Sequence, residues 1–151
     1  MGFRSRPDEK YREERSLSPT NQTVSAFREP LPEGCPPAVA EELGHDLTVF
    51  RIVRTAAPSL DDFRSQREEK PNGSFRVSEC VARGVSIFTD EKDAKNALLL
   101  PRLAGRRLAR LKIGAGSGVV HDTPSGAFPS HRTWWPFADY DILAHVEEVA
   151  A

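Results

Sequence analysis

Residues 107–135 read RLARLKIGAGSGVVHDTPSGAFPSHRTWW, and the fold of the chain turns on how they are divided. Arg107 to Ile113 alternates, with Ala109, Leu111 and Ile113 on one side and Arg110 and Lys112 on the other. A side-chain period of two is that of a half-buried strand, here with a basic outer face. The glycines of Gly114-Ala115-Gly116-Ser117-Gly118 mark a flexible connection. Gly118 to Thr123 and Ser130 to Trp135 then read as two strands around a Pro- and Gly-containing loop, an antiparallel hairpin.

Working towards the N-terminus, Leu47 to Arg54 (LTVFRIVR) suits a strand against a core, because its apolar positions are bulky or β-branched. Ser59 N-caps an expected helix over SLDDFRSQREE, with Asp61 and Asp62 in its first turn, where the helix dipole favours carboxylates. Ser78 to Arg83 is an expected helical turn stopped by Gly84, and Val85 to Phe88 a short buried strand. Thr89 is the expected N-cap of a helix running to Leu99 or Leu100, with Pro101 ending it. Towards the C-terminus, Ile142, Leu143, Val146 and Val149 fit helical spacing over Tyr140 to Val149 slightly better than alternation. Without a βαβ rhythm, these elements predict a single small α+β domain with a mainly antiparallel sheet and two or three helices.

Six of the twelve prolines lie within the first 37 residues, and Arg4 to Arg15 is nearly all charge. Such composition buries too little apolar surface to offset the entropy of ordering it. Residues 1–46 are therefore expected to be a disordered, Pro- and charge-rich tail, with a short helix over Ala38 to Leu43, and residues 47–151 the globular domain. The 46-residue segment holds 6 Lys and Arg against 9 Asp and Glu, while the remainder holds 15 against 13. Neither balance implies a polyanionic partner. Cys35 and Cys80 lack metal-ligand spacing and read as free thiols, and no apolar run approaches the ~20 residues of a membrane span. A cytoplasmic protein with no membrane partner is expected.

Chemistry concentrates in residues 102–140. His121-Asp122-Thr123 and His131-Arg132-Thr133 are two H-x-T triplets, and each puts an imidazole and a hydroxyl on one strand face. If the hairpin pairs, His121, His131, Thr123 and Thr133 form an array able to handle a phosphate, one imidazole as base, the other as acid, the hydroxyls as donors. No acidic residue falls between Lys95 and Asp122, so Arg110 and Lys112 would supply field. Trp134 and Trp135 must face opposite ways. Trp134 is expected in the core, leaving Trp135, on the His131 face, to stack on a base.

A phosphate-bearing ligand, a nucleotide or nucleic-acid end, is the leading expectation, with no cofactor identified. The alternative is a non-catalytic protein-interaction module using the Trp- and Pro-rich loops and an exposed tryptophan, with a protein partner. His121, Asp122 and His131 do not make a metal site, because neighbouring strand residues point apart. Finally, Arg51, Ser86 and Glu147 or Glu148 follow the order of catalytic residues in one class of ADP-ribosyltransferases, although the Ser-Thr-Ser and Glu-x-Glu clusters of that class are missing. The resemblance implies an ADP-ribosyltransferase-like enzyme as a minor alternative.

Overall fold

The computed structural model describes residues 26–150. Seven strands form one antiparallel sheet: β1 (Glu41–Glu42), β2 (Leu47–Val53), β3 (Val85–Phe88), β4 (Arg107–Ile113), β5 (Gly118–Asp122), β6 (His131–Pro136) and β7 (Val146–Ala150). Their order across the sheet is β1-β5-β6-β3-β2-β4-β7. Three short helices, α1 (Gln66–Glu69), α2 (Glu79–Ala82) and α3 (Glu91–Ala97), complete the α+β architecture.

Strand alternation divides the core between the two faces. Val49, Val53, Val85, Ile87, Leu111 and Trp134 point to one face and pack with Phe63 and Ile142. On the other, Phe50, Phe88 and Leu108 receive Ala94 and Ala97 of α3. Small residues on α3 let its backbone settle close to the aromatic rings, and each large side chain so buried contributes ~1.5–3 kcal/mol. The N-cap of α3 is Asp90, whose carboxylate accepts from Lys92 N at 2.9 Å. Thr89, expected in that role, lies one residue too early.

The inner strands β2 and β3 share a single register pair, Phe50 with Phe88. Arg51 fills the opening beyond it. Its Nε donates to the Asp62 carbonyl at 2.8 Å, Nη1 to the Ser86 carbonyl at 3.0 Å and Nη2 to the Arg64 carbonyl at 3.3 Å. Burial pushes the guanidinium down to about 10, outweighing the neighbouring carboxylates Glu69 and Asp62; it remains a cation at neutral pH. The carbonyls it serves would otherwise lack partners in the gap.

Several elements differ from the sequence-based expectation. The helix expected from Ser59 breaks into a 3-10 turn, Leu60–Phe63, and α1, because Ser65 is extended and caps the second piece, accepting from Glu68 N. The helix expected over Tyr140 to Val149 is a 3-10 turn, Leu143–His145, followed by β7. A bulge explains the misleading spacing. Leu111 pairs with Val146, Arg110 with Glu148 and Ala109 with Val149, so Glu147 is the extra residue. Both valines thus reach the same core face three positions apart, and the i, i+3 pattern imitates a helix.

Residues 26–46 also depart from the flexible tail expected there; the earlier part of that tail lies outside the described residues. Phe27 bridges to Phe137, with ring centroids 5.3 Å apart, and Arg28 Nη1 donates to the Phe63 carbonyl at 2.9 Å. Glu29 accepts from the Ser65 amide at 3.0 Å. In place of the helix expected over Ala38 to Leu43, Glu41 and Glu42 pair with Val120 and Val119. Cys35 is joined to Cys80 by a disulfide, correcting the expectation of free thiols. Their 45-residue separation hid the pairing, since only the return of this strap across the sheet brings the two sulfurs together. No helix of the described residues is long and apolar enough to cross a membrane.

Candidate functional site

The hairpin forms as its alternation predicts, and its register decides which side chains meet. His121 pairs with Thr133, and the Thr123 amide donates to the His131 carbonyl at 3.1 Å. Each imidazole therefore stands across from the hydroxyl of the other triplet. Strand β3 flanks β6 on its far side and adds Ser86 opposite Thr133 and Phe88 opposite His131. Ser86, Thr123, His131 and Thr133 thus lie on one face, together with His121.

Hydrogen bonds tie four of the five into a chain. Ser86 Oγ lies 2.7 Å from His131 Nε2. His131 Nδ1 lies 2.9 Å from the Thr123 carbonyl oxygen and 2.9 Å from Thr123 Oγ1. Thr123 Oγ1 is 2.9 Å from Thr133 Oγ1. A carbonyl oxygen only accepts, so Nδ1 carries the proton, and Nε2 offers a lone pair to the Ser86 hydroxyl. The imidazole ring is further held edge-on to Phe88, centroids 5.5 Å apart at 80°. Burial pushes His131 below its ordinary value; the Thr123 carbonyl opposes that shift, and the Arg51 charge adds to it. The neutral ring is therefore the resting form at pH 7. Ser86 and His131 are only part-buried, whereas Thr133 is buried.

Gly84 keeps room for this arrangement. A Cβ there would collide with Thr133 Cγ2 and press on the Trp135 indole nitrogen. At the lower end of the hairpin, Ser130 anchors the approach to His131, its amide donating to Asp93 Oδ2 at 2.9 Å and its hydroxyl accepting from Asp90 N at 3.1 Å. The first turn of α3 so fixes where β6 begins.

The remaining candidates lie elsewhere. Arg110 and Lys112 are on β4, separated from β6 by β3 and β2. Arg110 bonds Glu147 at 3.2 Å and Glu148 at 2.7 Å, and Lys112 Nζ is 3.7 Å from Glu147. These two cations of the acid-free run are thus neutralised by a strand that arrives from the C-terminus. Lys112 instead borders a cavity of about 420 Å³ with Asp46, Tyr140, His145 and Glu147.

Trp135 corrects another expectation. Both tryptophans are covered, at 0% exposure for Trp134 and 1% for Trp135, although they point to opposite sides. Trp134 Nε1 donates to the Ser117 carbonyl at 3.2 Å and Trp135 Nε1 to the Cys80 carbonyl at 2.9 Å. With its indole N–H held by a carbonyl of α2 and its ring covered, Trp135 leaves no face for a base to stack on.

Ser86 is the residue that sequence reading missed at this site. Its type and strand were legible, but the pairing of β3 with β6 was not, and only that pairing puts it against His131. Arg51 and Ser86 do meet, through the Ser86 carbonyl, whereas Glu147 and Glu148 lie two strands beyond Arg51, committed to Arg110 and Lys112. Among the described residues no three His, Cys, Asp or Glu side chains gather as a metal site. Comparison of the chain with known protein families, curated proteins and solved structures returned no match.

Proposed function

We propose that the protein binds or processes a phosphate-bearing ligand, a nucleotide or nucleic-acid end, on the sheet face formed by β5, β6 and β3. The observation that carries this reading is the single hydrogen-bonded chain of Ser86, His131, Thr123 and Thr133 on a partly open face. The Ser86 and Thr123 hydroxyls, on part-buried residues, can turn to donate to phosphate oxygens, with the buried Thr133 behind them, and the imidazole between them can take or return a proton. His121, across from Thr133, is the second imidazole of the array. Arg110 and Lys112, paired with acids on the next strand, contribute at most a distant field.

The protein-interaction reading loses its main support with the burial of Trp135, since the exposed indole it required is absent. The Cys35–Cys80 bond favours an oxidising compartment over the cytoplasmic location expected from composition.

A thermal-shift screen with nucleoside mono- and diphosphates and phosphosugars tests the proposal. At 100 times its dissociation constant a ligand adds ~2.7 kcal/mol, a readily measured rise in Tm. A phosphate dianion beside His131 stabilises the imidazolium, so a stabilising ligand should bind more tightly as pH falls towards the ordinary histidine value. His131→Gln should remove both the shift and its pH dependence. A screen with no stabiliser, or one whose effect survives in His131→Gln, refutes the reading.

A further inference from the structure

We propose that Ser86 is a nucleophile of this site, activated by His131, and that it takes up a phosphoryl group from a phosphodiester or phosphoanhydride. The inference rests on the sheet face described above being the functional one. It adds a covalent step to it.

Geometry assigns the roles. Nucleophilic serine requires a base within hydrogen-bonding reach and a third group that fixes the base in the right tautomer. His131 Nε2 is 2.7 Å from Ser86 Oγ. The orienting group is the Thr123 carbonyl, 2.9 Å from Nδ1, which holds the proton on the far nitrogen. A main-chain carbonyl suits that part because it cannot itself be protonated in the working range. Thr123 Oγ1, also 2.9 Å from Nδ1, is left free to donate its own proton to Thr133 Oγ1 at 2.9 Å, a direction consistent with the proton on Nδ1.

The hydroxyl and the ring are also held still. Ser86 sits inside β3, paired with Thr133, and its carbonyl is fixed by the Arg51 guanidinium at 3.0 Å. His131 is pinned between Thr123 and the Phe88 ring. Purely structural serines inside strands ordinarily bond to backbone. Here the hydroxyl bonds to the one nitrogen of a buried-side imidazole that carries a lone pair. Both residues nonetheless retain accessible surface.

The step balances with water as the only co-reactant. Ser86 Oγ forms a bond to phosphorus as its proton passes to His131 Nε2, and the bond from phosphorus to the leaving oxygen breaks. That oxygen takes the proton back from Nε2. Water then attacks the phosphoserine, giving its proton to Nε2. The Oγ–P bond breaks, and the proton returns to Oγ.

The test is covalent capture. The full-length, disulfide-bonded protein is treated with diisopropyl fluorophosphate, which transfers a phosphoryl group and releases fluoride, and the adduct is located by peptide mass spectrometry. A single adduct on Ser86 is expected, abolished in Ser86→Ala and slowed at least ~100-fold in His131→Gln, the range in which a general base contributes. Labelling should rise with pH with a midpoint below the ordinary histidine value. Circular dichroism and Tm establish that both variants are folded, and Ser86→Cys, tested with iodoacetamide, gives a second reading of nucleophile activation at the same position. Adducts only at other residues, or a Ser86 adduct forming at equal rate in folded His131→Gln, overturns the proposal. If nucleotides stabilise the protein but Ser86 takes no label, the nucleophile is refuted while phosphate binding stands. If Ser86 is labelled but no phosphate ligand shifts Tm, the nucleophile stands and the ligand class is refuted.

Discussion

Reducing the Cys35–Cys80 bond should lower Tm by roughly 12 °C without unfolding the protein at room temperature. The bond closes a loop with a sequence separation of 45. Loop-closure entropy for that length comes to ~4 kcal/mol at 25 °C, and for a chain of this size each kcal/mol moves Tm by ~3 °C. The strap has other anchors that remain after reduction: the Phe27–Phe137 contact, the Glu29–Ser65 bonds and the two-residue β1. Calorimetry of the oxidised protein, the reduced protein and the Cys35→Ser/Cys80→Ser variant measures the effect. Reductant should leave the double variant unchanged. Two titratable thiols in the unreduced, denatured protein, or a Tm difference below about 3 °C, would refute the argument that the strap is covalently held to α2 and stabilised by it.

Trp134→Ala and Trp135→Ala should each cost ~3–5 kcal/mol, and calorimetry should show losses of comparable size; a Trp135 variant with near-native Tm would mean its ring is not buried. Stability should also fall on acidification through His131. The unfolded imidazole protonates near 6.5, the folded one only at lower pH. In the window between the two, the unfolded chain holds more protons, and folding weakens as pH drops, levelling off below the folded value. Melting curves of wild type and His131→Gln between about pH 7.5 and about pH 4.5 check this, and parallel curves would contradict it.

Local pattern carried much of the fold. Strand β4 announces itself by alternation, and β5 and β6 by the loop between them, so the shared face of the two H-x-T triplets followed from residues 118–135 alone. Illegible were features set by pairings between distant segments. The bulge on β7 gave Val146 and Val149 a helical spacing. The acids that neutralise Arg110 and Lys112 lie on that same strand, 37 residues beyond Arg110 at the nearer one. Trp135 read as exposed because Cys80, whose carbonyl holds its indole N–H, precedes it by 55 positions. At the candidate site the same limit hid Ser86, whose partner His131 is 45 residues away.

The order β1-β5-β6-β3-β2-β4-β7 has a consequence for how the chain reaches this structure. The near-continuous ladders β1-β5-β6-β3 and β2-β4-β7, joined at Phe50 and Phe88, each draw strands from early, middle and late sequence. No cut of the chain separates one ladder from the other. Apart from the β5–β6 hairpin, every pairing waits for a loop of tens of residues to close, and each closure costs entropy before contacts compensate it. Folding should therefore be slow for a chain of this length and nucleated at the hairpin, so that the Ser86 strand docks onto a His131 already in place.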